Sequence, residues 1–324
     1  MKDMTHASSL MITEKIGWLE DRYWRFGQDE TMSDHLHDLY EVDDEGQMTA
    51  EPRRDPLTRE TKGLMVLGGS GNGKTLLLRR TLRANPVLTE FTEDDPGNTL
   101  FITVPPEATI KKLAEIILES TDYKNIHSKL RAADAWELAQ HRFSVVGIKT
   151  VVIDECHHIL RGGSGRDVRA AIQSLKHLMQ SDHGVALIIA GVPSLRDDIL
   201  AGPSGKIYRC FREFNLSMIR RGSRSAILFG SNFVKSAEKF AVSAREEDEF
   251  AERILFAEHG QVGRSIALAK EILRDAVSRK RDELSLAHAE RVFRKINGDL
   301  EMTPFHFDDW SAVKRELEAI GWGQ

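Results

Sequence analysis

The fold of this chain is decided by one stretch, Gly68-Gly69-Ser70-Gly71-Asn72-Gly73-Lys74-Thr75. The stretch fits the pattern G-x-x-x-x-G-K-[ST] of a phosphate-binding loop, and its flanks are typical of a strand before it and a helix after it. Glycines allow successive backbone N–H groups to point inward at the positive end of the following helix, where they hold a polyphosphate. A glycine-rich turn that precedes Lys-Thr by chance is the alternative. The order strand, loop, helix favours nucleotide binding by Gly69, Ser70, Gly71, Asn72, Gly73, Lys74 and Thr75.

A second motif follows the apolar segment at 150–153, where Asp154 and Glu155 stand side by side. Ligands of open α/β sheets bind at the carboxyl ends of the strands, so both carboxylates are expected near the phosphate loop. We expect Asp154 to hold Mg²⁺ together with the Thr75 hydroxyl. Glu155 is expected to polarise the water that attacks the γ phosphate, which Lys74 contacts. An acidic strand end exposed to solvent is the alternative, and the phosphate loop 80 residues earlier (154 minus 74) favours the catalytic interpretation.

Composition narrows the class of protein further. The chain has 324 residues, of which 41% are hydrophobic, enough for one large domain or two ordinary ones. A net charge of -5 argues against a surface that is positive throughout, so any contact with nucleic acid must be local. The two cysteines, Cys156 and Cys210, form no C-x-x-C pair, which favours a reducing environment. The longest apolar run, at 185–192, is too short to cross a bilayer, and a cytoplasmic protein with no membrane partner is expected.

The adjacent residues Cys156, His157 and His158 are of types that bind zinc. Three consecutive side chains at the start of a helix are not expected to converge on one ion. The sequence therefore disfavours a zinc site at this position.

Strands and helices alternate from the phosphate loop to residue 216, which predicts an α/β fold with a parallel sheet flanked by helices. From residue 217 onward the periodicity is helical, so a small all-α lid domain is expected to follow the sheet. The predicted domains are an N-terminal helical appendage and linker (1–60), the nucleotide-binding core (61–216), the lid (217–298) and a C-terminal tail (299–324).

A phosphate-loop α/β core followed by a helical lid resembles the AAA+ ATPases, and among them the chain looks most like the TniB/TnsC family of bacterial transposition ATPases. The resemblance covers about residues 60–296. The segments that carry it are Gly68–Thr75, Val104-Pro105-Pro106-Glu107, Ile153–His158, Arg209–Leu216 and Gly263-Arg264.

The resemblance implies an ATPase that uses hydrolysis as an assembly switch. Members of the family bind ATP and Mg²⁺ between neighbouring subunits and form homo-oligomeric rings or filaments on duplex DNA. They link a target-selection protein of the TniQ type to a DDE transposase, and hydrolysis dismantles the assembly. Arg264 matches the lid arginine that senses the γ phosphate, and a surface ion pair is its alternative role.

Two departures from the family pattern leave roles open. Cys210 occupies the usual place of the arginine that reaches the neighbouring subunit's γ phosphate, so Arg209 or Arg212 must take that role. Val192 stands where many relatives have a polar residue, which leaves Ser194, or no residue, as the polar sensor after the fourth strand.

Contacts with DNA are implied by position. Relatives that form filaments contact the DNA backbone from the region after the second strand, which here contains Lys111, Lys112 and Lys124. Lysines on a helix face exposed to solvent are the alternative. Phosphate contacts of this kind bind without sequence preference and weaken steeply with salt.

Three other functions remain as alternatives. A different AAA+ adaptor, such as a helicase loader, would carry the same nucleotide motifs. A DECH-box helicase is suggested by the letters at 154–157, but only 169 residues (324 minus 155) follow Glu155, too few for a second motor domain. A catalytically dead scaffold is disfavoured because Lys74, Thr75, Asp154 and Glu155 are all intact.

Overall fold

The computed structural model describes residues 11–92, 94–124, 126–127, 130–161, 165–201, 207–306 and 309–322. The chain divides into two compact units. The core unit contains the described residues within 28–70 and 74–216. The helical unit contains residues 11–27, the short segment Gly71–Gly73, and the described residues within 217–322.

A five-stranded parallel sheet forms the centre of the core unit, with the strand order β4-β5-β6-β3-β7. In this sheet Thr103 is in register with Asp154, and Leu67 with Gly191. The carboxyl ends of neighbouring strands therefore meet at one edge, the edge expected to bind a ligand. The strands are β3 (Gly63–Leu67), β4 (Thr99–Thr103), β5 (Thr150–Asp154), β6 (Ala186–Gly191) and β7 (Phe211–Asn215).

Both faces of this sheet are covered, so its central strands are apolar without alternation. All residues of β3, β5 and β6 are buried. Met65 and Leu67 pack into one hydrophobic cluster, and Leu64 and Val66 pack into another on the opposite face. Such doubly covered strands are typical of parallel sheets with helices on both sides. The predicted fold class is confirmed.

Helices flank the sheet of the core unit. The phosphate loop leads directly into α3, and the acidic end of β5 leads into the short α6. The hydroxyl of Thr109 caps α4 by accepting a hydrogen bond from the Lys112 N–H. The helices are α2 (Gly27–His37), α3 (Lys74–Ala84), α4 (Ile110–Ser120), α5 (Ala132–Val146), α6 (His157–Arg161), α7 (Gly165–Gln180) and α8 (Ser194–Leu200).

A hairpin precedes the sheet, within the segment 1–60 that the sequence assigns to a helical appendage and linker. Strands β1 (Tyr40–Val42) and β2 (Met48–Pro52) pair antiparallel. Tyr40 is buried, and its hydroxyl shares a hydrogen bond of 2.6 Å with the hydroxyl of Thr150 in β5. This contact spans 110 residues, so local sequence patterns gave no sign of it.

The helical unit is built on a separate apolar core. Helix α1 packs against α11, and Trp24 meets Phe229 edge-on at 5.1 Å. The hydroxyls of Ser223 and Ser285 cap α9 and α12. The helices are α1 (Ile12–Asp21), α9 (Arg224–Lys239), α10 (Phe250–Ala257), α11 (Val262–Ser278), α12 (Leu286–Asn297) and α13 (Trp310–Ala319).

The predicted tail contains α13, which packs within the helical unit. Trp310 meets Phe256 edge-on at 5.3 Å, and the buried Arg253 donates to the backbone oxygens of Pro304 and His306. Parts of the predicted appendage and tail, residues 1–10, 307–308 and 323–324, lie outside the described residues. The division into four domains stays a prediction.

After Leu216 the described residues form helices and no strand, so they contain no second sheet of the kind a two-domain helicase motor needs. The helicase alternative therefore has no support in the described part of the fold. Among all the described residues, from 11 to 322, no helix has the length and apolar character that a bilayer span requires.

Candidate functional site

The lysine of the phosphate loop is fixed by the loop itself. Lys74 is buried, and its Nζ donates to the backbone oxygens of Gly68 at 2.9 Å and Gly69 at 3.1 Å. Phosphate oxygens carry more charge than these carbonyls and are the stronger acceptors for an ammonium group. The lysine is thus already positioned over a cradle that an anion can enter.

Two oxygen groups meet beside this lysine. The Thr75 hydroxyl donates to Asp154 Oδ2 at 2.5 Å, which joins the start of α3 to the end of β5. Asp154 is almost fully buried, and its other oxygen accepts from the Glu155 N–H at 2.9 Å. Hydroxyl and carboxylate oxygens are the ligands that Mg²⁺ prefers, so this pair fits the expected metal.

Glu155 lies at the edge of the sheet in an uncommon backbone conformation. Its φ is 55°, in the left-handed region that residues with a Cβ rarely adopt. Strain of this kind concentrates at functional sites. The Glu155 carboxylate is half-buried, and its Oε2 lies 3.3 Å from Nδ1 of the buried His157. A Cβ added to Gly191, at the end of β6, would lie 3.2 Å from that same nitrogen.

The tip of the phosphate loop, Gly71–Gly73, groups with the helical unit. Gly71 and Gly73 have φ values of 80° and 81°, which only glycine adopts without strain. Within that unit the Arg264 N–H donates to the Gly71 oxygen at 3.1 Å. A Cβ on Gly263 would lie only 2.3 Å from the Gly71 oxygen, so the start of α11 can approach the tip only with glycine there.

The side chain of Arg264 is half exposed and forms an ion pair. Its Nε lies 2.6 Å from Oε2 of Glu258, whose side chain is buried. The alternative role predicted for this residue, an ion pair, is therefore present in the structure. The same pair holds the guanidinium group in a defined place at the start of α11.

The two candidate trans-acting arginines differ in their partners. Arg212 in β7 forms an ion pair with Asp38, which follows α2 in the same chain. Arg209 lies in a short 3-10 helix, Ile207–Cys210, and is exposed. Among the residues that the structure describes, Arg209 has no ion pair. Only Arg209 of the two is therefore available to another molecule without breaking an existing pair.

Cys210 stands between these arginines and cannot replace them as a cation. Burial, followed by a hydrogen bond donated to Glu60 at 3.3 Å, raises the pKa of the Cys210 thiol to about 11. Burial also raises the pKa of the Cys156 thiol to about 12. Both thiols are therefore neutral near pH 7, which disfavours either cysteine as a nucleophile.

The three lysines predicted to contact DNA all have acidic neighbours. Lys111 lies 3.6 Å from Glu115, and Lys112 lies 3.7 Å from Glu115 and from Glu119. Lys124 lies 3.2 Å from Asp122. Exposed pairs of this kind contribute about 0–1 kcal/mol, so a phosphate group can replace the acidic partner at little cost. The DNA contacts stay a prediction.

Comparison with known proteins settles the family. The sequence model of the family described as "Bacterial TniB protein" matches residues 16–204, more than half of the chain. The chain belongs to the TniB family. The predicted family is thereby confirmed, and a search of curated proteins finds no match to this TniB-family chain.

Solved structures show the fold of the TniB-family chain at low sequence identity. Cdc6p from Pyrobaculum aerophilum has a TM-score of 0.59 at 12% identity, over 94% of this chain and 89% of that one. The ORC1 protein of Aeropyrum pernix, solved in complex with DNA, has a TM-score of 0.57 at 14% identity, over 86% and 69%. A Walker-type ATPase of Pyrococcus abyssi has a TM-score of 0.51 at 13% identity, over 93% and 76%. These likenesses establish an AAA+ fold.

Several residues of the TniB-family site are visible only in three dimensions. His157 faces Glu155, Asp38 pairs with Arg212, and Glu258 holds Arg264. No local pattern predicts these contacts. Gly263 is the exception, because a glycine directly before Arg264 at a helix start indicates close backbone approach.

Proposed function

We propose that this TniB-family chain is an ATP-dependent regulator of DNA transposition. In this proposal it forms homo-oligomers on duplex DNA and links a target-selection protein of the TniQ type to a DDE transposase. The observation that carries the proposal is the arrangement of Lys74, Thr75, Asp154 and Glu155 at one edge of the sheet. A TniB chain with this arrangement has every side chain that ATP hydrolysis needs from a single subunit.

In this proposal each of these residues has one role. The N–H groups of the glycine loop and Lys74 bind the β and γ phosphates of ATP. Thr75 and Asp154 would hold Mg²⁺, which would neutralise charge on the phosphate oxygens. Glu155 accepts a hydrogen bond from the attacking water and orients it. Arg264, steadied by Glu258, lies at the start of the lid helix that approaches the loop tip.

The close approach of α11 to the loop tip gives a first prediction. In Gly263→Ala the new Cβ would lie 2.3 Å from the Gly71 oxygen, so the tip must shift. Overpacking costs about 1–3 kcal/mol, and we expect ATP affinity to fall by roughly tenfold or more. Titration with a fluorescent ATP analogue measures the change.

Gly230→Ala is the matched control for this substitution. Gly230 lies within α9, and its added Cβ would meet Ala251 at an ordinary 3.5 Å. Because the new Cβ meets no close contact, this variant should keep wild-type ATP affinity. Alanine favours a helix by about 0.8–1.0 kcal/mol over glycine, so its melting temperature should be no lower than that of wild type. Equal ATP affinity of Gly263→Ala and wild type would contradict the packing argument.

Assembly is proposed to depend on an arginine that reaches the ATP of the next subunit. Arg209 is favoured because Arg212 is engaged with Asp38. Arginines that act in trans on phosphoryl transfer supply a factor of about 10³–10⁵ in rate. We therefore expect Arg209→Ala to lower the DNA-stimulated ATPase rate by on the order of 10³-fold. Arg212→Ala, which removes one exposed ion pair, should change the rate little.

Mixing variants tests whether Arg209 acts between subunits. A Glu155→Gln subunit is expected to bind ATP and present Arg209 but not to hydrolyse. An Arg209→Ala subunit keeps its own hydrolytic residues. Assemblies that contain both the Glu155→Gln and the Arg209→Ala subunits should recover ATPase activity that neither variant shows alone. The control variant Arg212→Ala should be nearly as active as wild type without mixing. No recovery on mixing would argue against Arg209 as the trans-acting group.

Electron microscopy of the full chain with duplex DNA and a non-hydrolysable ATP analogue tests the proposed function as a whole. We expect ordered rings or filaments with the analogue and none with ADP. Binding through Lys111, Lys112 and Lys124 should weaken steeply with salt and show no sequence preference. A chain that stays monomeric with every nucleotide and duplex would contradict the proposal. Capture of a replicative helicase instead of a DDE transposase would favour the helicase-loader alternative.

A further inference from the structure

Three side chains with metal-binding atoms converge next to the proposed hydrolytic residues. The ligand atoms of Glu155, His157 and His158 all lie within 4.8 Å of one another. His157 Nδ1 lies 3.3 Å from Glu155 Oε2, and the two imidazole rings have centroids 4.2 Å apart. The sequence disfavours convergence of residues 156–158 on one ion, and the structure shows a different trio, with Glu155 in place of Cys156.

The backbone explains why Glu155 joins the histidines and Cys156 does not. Glu155 has a left-handed φ of 55° between the end of β5 and the start of α6, and its carboxylate lies beside the His157 ring. Cys156 is fully buried in the hydrophobic core. The group of close ligand atoms contains Glu155, His157 and His158 and does not include the Cys156 sulfur.

Burial gives the trio the character of a built site. His157 is buried and packs at the end of β6, while Glu155 and His158 are partly exposed. One ligand is therefore held rigidly, and two face the solvent from which an ion arrives. Preformed ligands on a rigid element reduce the ordering that binding must otherwise overcome.

The donor set selects the class of ion. Two imidazole nitrogens and one carboxylate suit Zn²⁺ and similar divalent transition metals, with a water completing the shell. Tetrahedral Zn²⁺ with bonds of about 2.0–2.1 Å places its ligand atoms roughly 3.4 Å apart, close to the observed separation of Glu155 and His157. Mg²⁺ prefers oxygen ligands alone, so it suits Thr75 and Asp154 rather than this trio.

We propose that Glu155, His157 and His158 form a binding site for a Zn²⁺-class ion that inhibits ATP hydrolysis. The bound ion coordinates the Glu155 carboxylate, which can then no longer orient the attacking water. Lys74 and the phosphate loop are not ligands of the ion, so ATP can still bind. The inhibitory part rests on the proposed function, whereas the site itself does not. Metal of this class would then hold an ATP-loaded assembly in place by stopping its turnover.

Metal binding is tested on the nucleotide-free full chain by titration with Co²⁺, followed by its visible absorption bands, and with Zn²⁺ by calorimetry. We expect one ion per chain. His158→Ala should bind at least 10- to 100-fold more weakly, since even groups that only orient metal ligands are worth that much. His141→Ala, which removes an exposed histidine from α5, is the matched control and should bind as wild type does. Equal affinity of His158→Ala and wild type, or no binding by wild type, overturns the site.

Inhibition is tested separately, with each variant normalised to its own metal-free ATPase rate. Zn²⁺ should lower the rate of wild type and His141→Ala at concentrations that leave His158→Ala unaffected, while ATP binding persists in all three. If the metal binds but the ATPase rate does not change, the inhibitory role is overturned, whereas the metal-binding site itself is still supported. Absence of any metal-free ATPase activity counts against the proposed function alone, because the Co²⁺ titration is independent of turnover.

Discussion

Replacing Lys74 with alanine is expected to weaken ATP binding by on the order of 100-fold and to abolish nucleotide-dependent assembly. The ammonium group is buried and held by two loop carbonyls, so it reaches a bound phosphate without further ordering. Hydrogen bonds to charged groups contribute about 1.5–3 kcal/mol each, and the loss of one or two of them corresponds to that factor. Titration with ATP measures the affinity, and electron microscopy with duplex DNA measures the assembly.

Two further variants show whether the effect of Lys74→Ala comes from the loss of the phosphate contact. Lys235→Ala removes an exposed lysine from α9 and should behave as wild type. Thr75→Ala removes the hydroxyl that contacts Asp154, and it should weaken binding in Mg²⁺ more than binding without the metal. Circular dichroism shows whether each variant is folded. A folded Lys74→Ala that binds ATP and assembles as wild type does would rule out the proposed phosphate site.

Replacing Glu155 with glutamine is expected to slow hydrolysis by about 10²–10⁴-fold, the contribution of a positioned general base. Glutamine keeps the shape of the side chain but is a far weaker proton acceptor than a carboxylate. Lys74 and the phosphate loop are unchanged, so ATP binding should persist and DNA-bound assemblies should last longer than those of wild type. Single-turnover hydrolysis and the lifetime of assemblies after ATP addition measure the two effects.

The control for this variant is Glu316→Gln, which changes an exposed carboxylate of α13 and should leave hydrolysis unaltered. Measuring both hydrolysis and assembly of Glu155→Gln separates the two parts of the proposed switch, the chemical step and the assembly that ATP binding supports. Loss of hydrolysis together with loss of assembly would mean that Glu155 supports the fold of the site rather than the chemistry. Unchanged hydrolysis would assign the attacking water to another residue.

Much of the core unit was predictable because its signals are local. A parallel strand buried on both faces reads as a short apolar run, and β3, β5 and β6 follow that rule. The phosphate loop depends on glycine spacing alone, and the contact of Thr75 with Asp154 follows from the shared edge of a parallel sheet. The helical character of the residues after 217 followed from periodicity.

Two features that the sequence did not predict depend on contacts between distant residues, and a third is a backbone conformation. The hairpin β1–β2 was not predicted, because its polar, proline-containing sequence has weak strand propensity and Tyr40 is fixed from outside by Thr150. The pairing of Arg212 with Asp38 joins residues 174 positions apart and changes which arginine is available. The left-handed φ of Glu155 is likewise invisible in a sequence, since glutamate carries no preference for it.

The sequence by itself determined the α/β class, the phosphate loop, the acidic strand end and the family, because each is set by residue type and spacing over a few neighbouring positions. Only the tertiary structure decided which arginine pairs with Asp38, that α11 needs a glycine where it approaches the loop tip, and that Glu155 turns toward two histidines. The first two features arise when separate elements pack together and bring distant residues into contact. The third depends on the left-handed backbone of Glu155, a conformation that residue type does not fix.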